Sequence, residues 1–176
     1  MNSDFSVAAH WPGEFDEAGL QKWAAALRQK LAAPQVSLGL VFVTPRFFEH
    51  ASQVLEIIRL HARIPVLLGC SSGALIAGEN EIEENAGLVL ALYALPGAEL
   101  KAFHFEQPQI ETAGEKDYWP NETGVAPDKT NGWLVFADPF HMDAEGWMRS
   151  WNEAYAPLPV LGGLASGDPK EQRTQV

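Results

Sequence analysis

Leu40-Val41-Phe42-Val43-Thr44-Pro45 and Leu134-Val135-Phe136-Ala137-Asp138-Pro139 open two stretches that run in parallel. Pro65-Val66-Leu67-Leu68-Gly69-Cys70-Ser71-Ser72-Gly73 closes the first, and Pro159-Val160-Leu161-Gly162-Gly163-Leu164-Ala165-Ser166-Gly167 closes the second. Slid on itself by 94 residues, the chain matches Leu40 to Leu134, Pro45 to Pro139, Gly69 to Gly163, Ser72 to Ser166 and Gly73 to Gly167 without a gap. Neither stretch is of low complexity. The match therefore reads as a duplicated strand–helix–strand unit, at about 36–78 and 132–168. The connections leave enough chain for right-handed crossovers between parallel strands.

Around this repeat the periodicity is regular. Leu20, Trp23, Ala24, Leu27 and Leu31 recur at helical spacing, so Glu14 to Leu31 reads as a helix ended by Pro34. Val36 to Val43 is a nearly unbroken apolar run, as in a strand buried on both faces. Thr44-Pro45 suits the cap and first position of a helix carrying Phe47, Phe48, Ala51, Val54, Leu55, Ile58 and Leu60. Gly87 to Leu95 and Glu99 to Phe105, joined by Pro96-Gly97, read as an antiparallel hairpin. Gln107 to Asn131 is either a loop or a small helix around Tyr118 and Trp119. Trp133 to Ala137 and Leu158 to Leu161 are strands, with a helix from Asp143 to Tyr155 between them. The fold class is α/β: mixed sheets from two repeated units plus a hairpin, with helices covering the faces.

Composition bounds the function. The 176 residues suit one domain with a substantial core, and 47% are apolar. Twelve basic residues against 23 acidic give a net charge of −11, which argues against nucleic acid and against an anionic membrane surface as partners. No apolar run approaches the roughly 20 residues of a membrane span. The N-terminus, Met1 to Pro12, has no basic n-region of a secretory signal. One cysteine, Cys70, forms no internal disulfide and fits a reducing cytoplasm.

The candidate ligand-binding residues sit where strands of the repeat end. Ligands of open α/β sheets lie beyond the carboxyl ends of strands, and glycine lets a backbone come close to them. Gly69, Cys70, Ser71, Ser72 and Gly73 follow the second strand of one copy, and Gly163 and Ser166 that of the other. Arg46 and Asp138 follow the first strands, and Arg46 is the best-placed cation for a ligand carboxylate. Backbone N–H groups of the turns, with the Ser71, Ser72 and Ser166 hydroxyls, would complete such a site.

Catalysis has weaker support. A nucleophilic Cys70 needs a nearby base and a lowered pKa, and its repeat counterpart is Leu164. Gly69-Cys70-Ser71-Ser72-Gly73 matches the letters Gly-x-Ser-x-Gly, but Ala74-Leu75-Ile76-Ala77-Gly78 reads as a strand, whereas a nucleophile elbow leads into a helix. Asp138, His141, Asp143 and Glu145 resemble a metal cluster by type; a helix cap at Asp143 with Glu145 in the first turn explains two of them. No cofactor, metal or catalytic residue is expected.

The stretch Pro65 to Ile76, with Leu134 to Phe140 and Pro159 to Gly167, resembles the strand, "GCS" turn and later landmarks of the N-terminal half of FIST domains. The resemblance runs from about His10 to Asp168. It implies an intracellular sensory domain of signal transduction, 1–176 forming one N-terminal half, that binds a small ligand such as an amino acid. A C-terminal FIST half, or self-association, is the implied protein partner. The rival readings are a hydrolase or transferase using Cys70 or Ser71, and a protein-interaction adaptor.

Overall fold

The computed structural model describes residues 5–83, 87–113, 117–167 and 173–176. They fall into two compact units, 1–102 with 166–176, and 103–165.

In the first unit, strand β1 (Ser6–Trp11) leads to helix α1 (Glu17–Lys30), then to β2 (Leu38–Val43). A 3-10 segment (Pro45–His50) runs directly into α2 (Ala51–His61), followed by β3 (Leu67–Ser71), the short pair β4 (Leu75–Ala77) and β5 (Asn80–Ile82), and β6 (Leu88–Tyr93). The main sheet has the order β1-β6-β2-β3. β6 is antiparallel to both its neighbours, and β2 is parallel to β3. Strand alternation puts Val7, Ala9, Trp11, Val41, Val43, Leu67, Leu88, Leu90 and Leu92 on one face. Against that face pack Leu20, Ala24, Leu27 and Leu31 of the first helix region, and Val54, Ile57 and Ile58 of α2. Each leucine, valine or isoleucine removed from water there is worth about 1.5–3 kcal/mol, so the apolar stripe fixes which way each helix faces.

In the second unit, α3 (Gln107–Thr112) and α4 (Tyr118–Thr123) precede β7 (Trp133–Ala137), α5 (Ala144–Tyr155) and β8 (Val160–Leu164). β7 and β8 form a parallel pair. Their inner face joins an aromatic core in which Trp151 stands 4.9–5.2 Å, centroid to centroid, from Trp119, Trp133, Trp147 and Tyr155. α5 begins as its sequence requires: the Asp143 carboxylate accepts from Gly146 N at 2.9 Å.

Both repeat copies are strand–helix–strand, and the register shows how they correspond. Leu40 pairs with Leu68 and Val41 with Gly69 in one; Leu134 pairs with Leu161 and Val135 with Gly162 in the other. The first strands are 94 residues apart and the second strands 93, so the second connection is one residue shorter. Gly69 therefore corresponds to Gly162, not to Gly163, and the ungapped alignment slips at the second strand. The backbone explains the glycine. A Cβ on Gly69 (φ 159°) would overlap the carbonyl oxygen of Val41, and one on Gly162 (φ 147°) that of Val135.

Three other expectations are corrected. Pro96-Gly97 does form a turn, with Ala98 N donating to Leu95 O at 3.1 Å. The described residues Glu99 to Phe105 form no strand, because β6 spends one edge on β1 and the other on β2. Among the described residues a hairpin forms instead at β4–β5, turning at Gly78. Thr44 stands at the N-cap position but bonds Gly87 instead, accepting from its amide at 3.1 Å and donating to its carbonyl at 3.2 Å. β3 and β8 run further than expected, so Gly69, Cys70 and Ser71, and likewise Gly163, stand inside strands rather than in turns.

Candidate functional site

At the carboxyl end of β2 and β3, the chain closes a tight polar turn. Ser71 N donates to Gln175 O at 2.8 Å and Ser72 N to Val43 O at 2.8 Å. Gly73 N donates to the Ser166 hydroxyl at 2.9 Å. Ser166 N in turn donates to Ser71 O at 3.0 Å. The Ser72 hydroxyl donates to Ala74 O. The structure thus brings Ser71, Ser72, Gly73 and Ser166 together, but their backbone donors are already bonded within the chain. The Ser166 hydroxyl is an exposed polar group of this turn, its oxygen accepting from Gly73.

Ser71 is fully buried, and its hydroxyl accepts from Gln175 N at 3.0 Å. Alternation turns Gly69 and Ser71 toward the helices and Cys70 to the other face of the sheet. Burial pushes the Cys70 thiol up, away from the thiolate form. Among the described residues no histidine bonds either Cys70 or Ser71. After Gly73 the chain enters β4, a strand, so the strand–turn–helix setting of a nucleophile elbow is not built here.

Arg46 lies in the 3-10 segment after β2, exposed, with Glu14 Oε1 3.7 Å from its guanidinium. Its ion-pair partner is a surface carboxylate, a contact that solvent weakens. In the second unit, Asp138 begins the loop after β7: it accepts from Phe140 N at 2.8 Å and meets His141 Nδ1 at 2.7 Å. That is an Asx-type turn holding the approach to α5. Gly163 is exposed in β8 with open space where a Cβ would stand. Among the described residues, no group of three or more His, Cys, Asp or Glu is placed to hold a metal ion, and no helix is long and apolar enough to cross a membrane.

A cleft outside the nine foreseen residues lies in the second unit. It is a half-open groove of about 250 Å³ lined by Trp147, Met148, Trp151, Asn152, Leu158 and Val160. Trp147 and Trp151 stand one helical turn apart, the spacing of a core face, and both are buried. Their neighbour Met148 is exposed on the same helix, and this apolar residue beside the core stripe was the available sign of a second use. The indole N–H groups of Trp133 and Trp151 are buried without an acceptor.

No curated protein and no solved structure gave a match to the chain. The profile of the FIST N domain matches residues 37–176. That span takes in both copies of the repeated unit, from β2 to the segment that bonds Ser71, and the chain belongs to the FIST N domain family.

Proposed function

We propose that this FIST N domain senses an amino acid or a related small metabolite and performs no chemistry on it. The family is one of sensory domains of signal transduction, and the match over residues 37–176 is the observation that carries the reading. The nucleophile candidates support it. The Cys70 thiol is held toward its protonated form by burial, and the Ser71 hydroxyl is sealed under Gln175. Among the described residues no histidine bonds either group, and covalent catalysis needs such a base. Of the turn beyond β3, the half-buried Ser72 and the exposed Ser166 remain the candidate polar side chains in the first unit, with Arg46 at the same strand end; Asp138 and Gly163 are the candidates of the second. The reading fits a reducing cytoplasm and needs no cofactor.

A thermal-shift panel of amino acids and their keto and hydroxy analogues tests it. A ligand present at 100 times its Kd stabilises the folded state by about 2.7 kcal/mol, a shift of several degrees. The ligand should be recovered unchanged after long incubation. Conversion of the ligand that Cys70→Ser or Ser71→Ala abolishes would replace sensing by catalysis. Arg46→Ala should weaken binding of an acidic or zwitterionic ligand without lowering the melting temperature; unchanged affinity removes Arg46 from the site.

A further inference from the structure

β8 is unlike an ordinary parallel strand. Parallel sheets bury their strands on both faces, yet Leu161 is 68% and Leu164 59% exposed. Among the described residues β7 is its single sheet neighbour. Trp133 N donates to Pro159 O, and Ala165 N to Ala137 O. These two bonds fix the alternation. Odd-numbered residues bond β7, and the N–H and C=O groups of Val160, Gly162 and Leu164 point to the far edge.

The other copy of the repeat shows what such an edge takes. By register, Leu164 corresponds to Ser71. Ser71 is covered by an extended segment: its amide donates to Gln175 O at 2.8 Å, and its hydroxyl accepts from Gln175 N at 3.0 Å.

The groove adjoins this edge, because Val160 belongs to both. On the same face of β8 as Val160, Gly162 presents no side chain, and its φ of 147° and the Val135 carbonyl forbid one. The strip between α5 and the strand edge is thereby left low. Met148 stands exposed on the helix side of it. A chain of net charge −11 repels its own copy and acidic segments, and favours neutral or basic ones.

We infer that the far edge of β8 is an acceptor for an extended peptide, neutral or basic, that adds as a strand and sets one large apolar side chain in the groove between Trp147, Met148 and Val160. The main-chain bonds come from Val160, Gly162 and Leu164; the groove selects the side chain. This goes beyond ligand sensing and does not depend on it.

A displayed library of random heptapeptides, panned against the full 176-residue chain, supplies the probe. Enriched peptides should share a Trp, Phe, Leu or Met at one position and lack acidic runs. A synthetic copy should slow amide exchange at Gly162 and Leu164 and leave Leu161 and Gly163, already bonded to β7, unchanged. Met148→Glu, an exposed substitution, should weaken binding at least ten-fold with the melting temperature intact. Leu164→Pro removes an outward N–H and should act likewise, while Leu161→Lys, on the opposite face of β8, should not. Four results would overturn the inference: no peptide enriched over an unrelated protein; protection elsewhere than β8; affinity unchanged in Met148→Glu; or protection of Gly162 and Leu164 by free leucine or tryptophan equal to that by peptide. Concentration-dependent protection of those amides in the protein alone, with a dimer in sedimentation, would assign the edge to a second copy and overturn it as well.

Discussion

The two copies of the strand–helix–strand unit share their hydrogen-bond register but not their surroundings. β2–β3 is half of a four-stranded sheet with β6 on its flank, whereas β7–β8 is a pair among the described residues. In the first, aliphatic side chains from two helices fill the inner face; in the second, four tryptophans and a tyrosine from two helices, a strand and their neighbours do so. A two-stranded sheet is marginal by itself and needs packing from a helix or more strands. The large, mutually contacting rings of the second unit supply that packing from few residues. The comparison separates what the repeat dictates, namely register and the glycine opposite the first strand, from what each copy's context decides, namely which strand edges are covered.

The largest effect should come from the feature the copies share. Gly69→Ala forces a methyl group into the Val41 carbonyl, and Gly162→Ala into that of Val135. Each should cost more than about 4 kcal/mol, the range reserved for a named steric failure. Circular dichroism melts would show Gly69→Ala unfolded. Gly163→Ala, with open space at its Cβ, should melt close to the parent protein. If Gly163→Ala were the more damaging, the 93-residue correspondence of the second strands would be wrong.

The separate cores give the next contrast. Phe47→Ala and Trp151→Ala each remove a buried ring, at a cost of about 3–5 kcal/mol. Hydrogen exchange should show Phe47→Ala loosening β2, β3 and β6, and Trp151→Ala loosening α5, β7 and β8. Equal loosening everywhere would mean one core rather than two.

Thr123→Val should cost about 1–2 kcal/mol, because its hydroxyl bonds both Trp119 O at 2.8 Å and Tyr155 Oη at 2.7 Å in a buried setting. Burial raises the Tyr155 phenol, and the Thr123 bond opposes the rise. The folded state thus holds the phenolic proton more firmly than the unfolded chain. That stability is complete below pH of about 10 and is lost as pH climbs above it. Denaturant titrations should show the loss beginning at the same pH in Thr123→Val, whose phenol lies higher still.

The smallest effect belongs to the first unit. Burial lowers His10, whose Nε2 is buried without a partner in β1. Its neutral form is favoured by folding, so the contribution is present above pH of about 6.5 and disappears as pH falls through the lowered folded value. His10→Asn should flatten that part of the stability profile; an unchanged slope would give the dependence to another group.

Much of this was legible. β7 is read to the residue, and α5 to within one, because Trp147, Trp151 and Tyr155 mark one face and Asp143 caps it. The family was readable from the landmarks between Pro65 and Gly167. What misled was glycine. Gly69-Cys70-Ser71 looks like a turn because its side chains are small, yet glycine is there to let β3 lie against the Val41 carbonyl. Identical letters at Gly69 and Gly163 then hid the one-residue gap. β1 was missed because Ser6 to Trp11 is short and pairs with β6, a partner far along the chain that local pattern does not reveal. The groove escaped because Trp147 and Trp151 satisfy a core pattern completely, and the register of β8, which leaves the neighbouring strip open, is a tertiary fact.

Amide exchange in the unliganded protein tests most directly the claim that one unit is used twice, covered in the first copy and, among the described residues, uncovered in the second. Ser71 N, bonded to Gln175 O, should exchange slowly with the rest of its unit. Leu164 N, its counterpart at the far edge of β8, should exchange near the rate of an unstructured peptide, while Leu161 and Gly163 stay protected. Equal protection at Ser71 and Leu164, or fast exchange at both, would contradict the account.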